Sequence, residues 1–97
     1  MRALVFVSKN CPYCRHFEKV VRKLEEEFEI DFERVDVDLN PELSEKYGIM
    51  ILPTLVLVNG DEVIGGFMGF ADYKTAYTTI REQMYGVSAL FQTHDKN

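Results

Sequence analysis

The chain opens with Arg2-Ala3-Leu4-Val5-Phe6-Val7-Ser8, a short apolar, β-rich run that reads as a buried strand. The period then becomes helical. Phe17, Val20, Val21, Leu24 and Phe28 fall at i, i+3, i+4, i+7 and i+11 and form one apolar stripe, which predicts a helix from about Pro12 to Phe28. Alternation returns at Phe32 to Val37, where Val35 and Val37 interleave with Asp36 and Asp38, the mark of a second strand. Asn40-Pro41 predicts an N-cap followed by proline at the first helical position, a short helix through Leu43 to Tyr47, and a left-handed cap at Gly48.

Beyond Gly48, Ile49-Met50-Ile51-Leu52 leads through Pro53 into Thr54-Leu55-Val56-Leu57-Val58, a β-branched run that predicts a central strand. Asn59-Gly60 is a strong hairpin signal, with Asp61 to Phe67 as the returning strand. Asp72 is placed to cap a last helix that carries Tyr73, Ala76, Tyr77, Ile80 and Met84 on one face and ends at Gly86. Val87, Leu90 and Phe91 then add a packed turn, and Thr93 to Asn97 is a frayed polar end. Residues 1–86 thus make one domain and 87–97 a C-terminal extension. The order strand, helix, strand, helix, strand, strand, helix is α/β. Its first βαβ unit needs a parallel pair with a right-handed crossover, and the hairpin adds an antiparallel pair. The expected architecture is a mixed four-stranded sheet with helices on both faces.

Length and composition narrow the class. Ninety-seven residues, 46% of them hydrophobic and 28% charged, suit one globular core without staples. The longest apolar stretches, around residues 3–7 and 49–58, are too short to span a bilayer, so no membrane association is expected. No secretory signal precedes the first strand, which favours the cytoplasm. A net charge of −5 argues against nucleic acid as a partner. That charge is uneven: Lys9, Arg15, His16, Lys19, Arg22 and Lys23 cluster early, whereas acids dominate from Glu25 to Glu45. Two readings stay open. The early cations form a solvated helix face with Arg22–Glu26 and Lys23–Glu27 pairs, or they form a basic rim that lowers a thiol pKa and attracts an anionic partner.

That thiol belongs to Cys11-Pro12-Tyr13-Cys14, which holds both cysteines of the chain at the turn from first strand to first helix. Pro12 at the first helical position puts Cys11 at or beside the N-cap, facing unpaired backbone donors, and Cys14 inside the first turn. The helix terminus and the charge of Lys9 favour a thiolate at Cys11, with a pKa well below about 8.5. Such a thiolate attacks a disulfide, and Cys14, one turn further in, resolves the mixed disulfide. A structural disulfide is the competing reading, but a C-x-x-C loop closes little chain and staples a fold weakly. No metal site is expected: a closed zinc site takes four ligands, His16 lies about 200° round the helix from Cys14, and His94 is in the tail.

These elements and motifs resemble the thioredoxin superfamily over about residues 3 to 85. Ser8-Lys9-Asn10-Cys11-Pro12-Tyr13-Cys14 is similar to the active-site segment of dithiol glutaredoxins. Val35-Asp36-Val37-Asp38, Tyr47-Gly48-Ile49, Leu52-Pro53-Thr54, Asn59-Gly60 and Gly69-Phe70 are similar to thioredoxin. The resemblance implies a thioredoxin fold and a thiol–disulfide oxidoreductase acting through Cys11 and Cys14, supported by Lys9, Pro12, Tyr13 and Pro53. It implies a cis Leu52–Pro53 bond beside the cysteines, with the Leu52 backbone open to an extended substrate. Thr54, Gly69 and Phe70 join Leu52 in binding substrate, and Met50, Ile51 and Tyr13 complete an apolar surround. The implied partners are disulfide-containing proteins and either a thioredoxin reductase-like enzyme or glutathione. No cofactor is bound, glutathione enters only as a co-substrate, and the chain acts as a monomer. Three departures stand out. Val5 occupies the place of the buried thioredoxin aspartate, and no tryptophan precedes Cys11. Gly65-Gly66 resembles the glutaredoxin double glycine, but Gly69 stands where the following acid belongs. A disulfide-forming oxidase and a non-catalytic binding module remain as alternatives.

Overall fold

The computed structural model describes the backbone of residues 1–95 and the side chains of residues 1–85. The N-terminal apolar run forms β1 (Arg2–Val7), and the helical stripe forms α1 (Pro12–Glu27), with Phe28 closing the helix through its N–H to the Leu24 carbonyl at 2.9 Å. Next come β2 (Asp31–Asp36), α2 (Pro41–Lys46), β3 (Thr54–Asn59), β4 (Glu62–Met68) and α3 (Tyr73–Asp95). The four strands lie in the order β2-β1-β3-β4. β1 is parallel to β2 and antiparallel to β3, and β4 returns antiparallel to β3. This is the mixed sheet the element order requires.

The two faces of the sheet have separate cores. Ala3, Val5, Leu55 and Leu57 point to the side of α1 and α3, where they meet Phe17, Val21, Leu24, Ala76 and Ile80. Leu4, Phe6, Val56 and Val58 point the other way, toward Leu43 and Tyr47 at α2. Neighbouring residues of β1 and β3 therefore feed opposite cores, so both central strands read as continuous apolar runs. Among the described residues, no helix is long and apolar enough to cross a membrane.

Local chemistry departs from the sequence expectations at several points. The hairpin turns on Gly60–Asp61 rather than Asn59–Gly60: Asn59 pairs with Glu62, and Gly60, at φ +64°, takes the positive-φ place that glycine fills without a Cβ clash. A register shift at Leu57/Val58 follows. Asn40 precedes α2 as expected, but its side chain makes no cap bond; its Nδ2 donates to the Asp36 carbonyl at 3.0 Å. Asp72 does cap α3, accepting the Thr75 N–H at 2.9 Å, which holds its carboxyl below the ordinary range. Gly86 does not end that helix. α3 continues to Asp95, because a lone glycine only weakens a helix unless a left-handed cap forms, and the 86/87 boundary therefore falls inside it. The frayed end expected from Thr93 is helical as far as Asp95, while the proposed packing of Val87, Leu90 and Phe91 and the state of Lys96 and Asn97 lie outside the described residues.

The cations of α1 also choose other partners than the expected Glu26 and Glu27. Arg22 turns back to Glu18 at 3.2 Å, and Lys23 lies over the Tyr73 ring, 5.8 Å from its centroid. Glu18 is held in turn by Arg34 of β2, which reaches Glu18 at 2.7 Å and Glu25 at 2.6 Å. The Arg34 hydrogen bond keeps the Glu18 carboxyl below the ordinary glutamate range, against the opposing effect of partial burial. A depressed folded-state pKa adds stability above the unfolded value, about pH 4.3, and that stability is lost as pH falls through the folded value. Glu18→Gln is therefore expected to lower Tm at pH 7 by a few degrees and to leave it unchanged near pH 2. A Tm loss of equal size at both pH values would contradict an electrostatic role.

Candidate active site

β1 ends at Val7 and the chain turns through Ser8 to Asn10 before α1 begins. Ser8 anchors this turn three times: its hydroxyl donates to Asp38 Oδ2 at 2.9 Å and accepts the Asn10 N–H at 3.4 Å, and its carbonyl accepts the Cys11 N–H at 3.3 Å. Pro12 then opens α1 at the position where its missing N–H leaves no gap. Cys11 is consequently the N-cap, with extended backbone, φ −107° and ψ 106°. The Cys14 N–H donates both to the Cys11 carbonyl and to Cys11 Sγ, each at 3.1 Å. The sulfur thus occupies the place usually taken by a serine or aspartate oxygen at a helix start.

Cys11 and Cys14 form a disulfide, with Cα atoms 5.2 Å apart. Their surroundings differ. Cys11 is half-exposed, whereas Cys14 is 5% exposed and faces the core. Thr54 is the single buried polar residue among those described, and buried Val5 lies in the core on this side of the sheet. The core on this side therefore offers Cys14 apolar surroundings.

Antiparallel pairing of Phe6 with Thr54 sets the start of β3 beside the end of β1, so Pro53 and Cys11 share one end of the sheet. The Leu52–Pro53 bond is cis and Pro53 is buried. The Gly69 N–H donates to the Pro53 carbonyl at 2.7 Å, and Gly69 takes φ +85°, which ties the end of β4 to this loop. Thr54 does not present its side chain to a ligand. It is 4% exposed and its hydroxyl donates to the Ile51 carbonyl, so it braces the loop. The Leu52 side chain packs against the α2-side core. Around this end Tyr13, Met50, Ile51, Met68 and Phe70 are exposed, Met50 by 90%. The Tyr13 and Phe70 rings lie 6.5 Å apart, and Phe70 also meets the edge of buried Phe17 at 6.1 Å. Lys9 and Pro12 are exposed beside Cys11, and His16 points to solvent from α1.

Two residues of this end escaped the sequence reading. Met68 reads as an ordinary strand residue until its pairing with Thr54 puts it on the exposed rim. Gln83 carries no signal because its role depends on how α3 lies against β4. Its side-chain amide accepts the Gly66 N–H at 2.8 Å and donates to the Gly66 carbonyl at 3.0 Å, taking both outward groups of that edge residue. Edge strands with open backbone groups invite pairing, and this amide closes one position. Gly66 is thus committed to α3, and Gly65 lies beneath the same Gln83 side chain. Among the described residues, no group of three or more His, Cys, Asp or Glu side chains is placed to hold a metal.

A C-x-x-C disulfide at the first strand–helix turn of this sheet, its outer sulfur capping the helix, defines a thiol–disulfide oxidoreductase of the thioredoxin fold. The comparisons agree. Residues 1–70 match the family model described as thioredoxin domain, and the chain belongs to that family. It is 32% identical over 82 residues to a probable thioredoxin of Methanothermobacter thermautotrophicus, spanning 82% of this chain and 92% of the relative. A thioredoxin of Methanocaldococcus jannaschii is 39% identical over 64 residues, 63% of this chain and 74% of that one. Among solved structures, the reduced desulfothioredoxin of Desulfovibrio vulgaris Hildenborough superposes with a TM-score of 0.75 at 26% identity, covering 82% of this chain and 78% of that chain. Disulfide substrates and a reductase partner follow for the family in general.

Proposed function

We propose that the chain reduces protein disulfides, with Cys11 as the nucleophile and Cys14 as the resolving thiol. The observation that carries this is the unequal placing of the two sulfurs: one half-exposed and accepting a helix N–H, the other buried. In the reduced form the Cys11 thiolate attacks one sulfur of a substrate disulfide. A Cys11–substrate disulfide forms and a substrate thiolate leaves. Cys14, having lost its proton, then attacks Cys11 Sγ; the Cys11–Cys14 bond forms and the second substrate thiolate departs. Two electrons pass from the dithiol to the substrate, whose thiolates take up protons. A thioredoxin reductase-like enzyme or glutathione restores the dithiol. A cytoplasmic setting suits such a reductase, since thiols are kept reduced there.

Protein disulfides are favoured over glutathione mixed disulfides as substrates. Both outward backbone groups of Gly66 are engaged by Gln83, and Gly69 brings no carboxylate. The exposed rim of Met50, Ile51 and Phe70 offers an apolar bed for a polypeptide. The Cys-Pro-Tyr-Cys sequence with exposed Tyr13 favours the glutathione reading. Turnover of insulin disulfides and of a glutathionylated peptide by the wild-type chain separates the two. Insulin reduction at least about tenfold more efficient supports the proposal; the reverse ratio overturns it.

A further inference from the structure

We infer that the outer face of the first half of α1 is a cationic docking surface, and that it selects disulfides flanked by acidic residues on the partner protein. This rests on the reductase reading and names the substrate class of the same site. The starting point is an inverted helix. A helix is stabilised by acids in its first turn and bases in its last, yet α1 has no acid in the first turn and no base in the last. Arg15, Lys19, Arg22 and Lys23 fill its N-terminal and middle turns, and Glu25, Glu26 and Glu27 end it. Arg15 in the first turn and Glu25, Glu26 and Glu27 in the last sit at the ends that the helix dipole disfavours for them. In a protein of net charge −5, this arrangement opposes the stability of its own helix and concentrates positive charge beside Cys11.

Geometry separates these cations into two groups. Glu18, the one acid among them, lies on the flank toward β2, where Arg34 and Arg22 engage it, and Lys23 lies over Tyr73 on the flank toward α3. Arg15 and Lys19, four residues apart, share the outward side between those flanks, and both are exposed. Among the described residues, no ion pair engages Lys9, Arg15 or Lys19. The nearby acid Asp38 accepts the Ser8 hydroxyl. The attacking sulfur therefore has cations on its outward side and the apolar rim of Tyr13 and Phe70 beside it, while most of the remaining surface repels an acidic partner. Such a field steers carboxylate-bearing segments to the sulfur and weakens with salt.

The test uses reduced full-length protein and three two-chain disulfide peptides of equal length, flanked by Asp and Glu, by Ser and Gly, or by Lys. A fluorophore and quencher part on reduction, and second-order rate constants are read in single turnover. At about 20 mM salt the acid-flanked peptide is expected to react about tenfold faster than the lysine-flanked one, and at about 500 mM less than about twofold faster. Arg15→Glu/Lys19→Glu reverses the order and does not lower Tm. Arg2→Glu/Arg81→Glu makes the same change in net charge away from α1 and keeps the wild-type order. Equal rates for all three peptides, or a preference indifferent to salt and to reversal on α1, overturns the docking surface while leaving the reductase reading intact. Failure of all three to react overturns both.

Discussion

Cys11→Ser is expected to lower insulin reduction by at least about a thousandfold, because loss of a nucleophile removes every later step with it. Serine can still cap α1, since its oxygen accepts the same Cys14 N–H, so Tm should change by no more than a few degrees. Cys14→Ser should stop turnover to a similar extent for a different reason. Its Cys11 attacks normally, but nothing inside the turn displaces the substrate, and a covalent mixed disulfide accumulates. Mass spectrometry after mixing with a disulfide protein would find that adduct on Cys14→Ser and none on Cys11→Ser. Iodoacetamide should likewise label Cys11 of the reduced wild type well before Cys14, which is 5% exposed. An adduct on Cys14 in the Cys11→Ser protein would invert the proposed roles.

The second large effect concerns two adjacent glycines with opposite expectations. A Cβ on Gly66 would strike the carbonyl of Leu55 on the neighbouring strand, at a residue whose φ of +142° already disfavours any side chain. Gly66→Ala is expected to destabilise the fold by about 3 kcal/mol, backbone strain and a displaced strand pair acting together. A Cβ on Gly65 would instead meet the Gln83 side chain at 2.6 Å. That obstacle can swing away, so Gly65→Ala should lose only about 1 kcal/mol, the net worth of the hydrogen bonds broken. Gln83→Ala as the background gives the discriminating result in urea denaturation: there Gly65→Ala should cost almost nothing further, because the same hydrogen bonds are already gone, whereas Gly66→Ala should keep its full cost. Loss of both costs in that background would mean that Gln83, not the strand, sets the glycine requirement.

Much of this molecule was legible in its sequence, for identifiable reasons. The stripe of Phe17, Val20, Val21, Leu24 and Phe28 reports the core face of α1 because period 3.6 leaves few alternatives. Continuous apolarity in β1 and β3 reports strands covered on both sides, as their two cores show. Proline at the first helical position fixed where α1 starts, and so made Cys11 the cap. What failed depended on geometry that local pattern does not carry. Asn59-Gly60 marks a hairpin, but which pair turns depends on the register with β4, which shifts at Leu57/Val58. Gly86 looks like a stop signal, but a glycine ends a helix only where the chain can leave by a left-handed cap. Thr54 sits in a family-like position for contact with substrate, yet its hydroxyl is taken by the Ile51 carbonyl. Gln83 and the pairing of Arg34 with Glu18 and Glu25 join elements distant in sequence, and neither follows a short-range rule.

Cys11 attacks because it is ionised, its sulfur accepting the Cys14 N–H at the head of α1. The rate of iodoacetamide modification of reduced Cys14→Ser, followed from pH 4 to pH 10, measures that ionisation directly. The expected midpoint lies below about 7.5 and rises toward the ordinary value when Arg15 and Lys19 are reversed in charge. A midpoint at or above about 8.5, the value of an unperturbed thiol, would rule out a thiolate stabilised by the helix start.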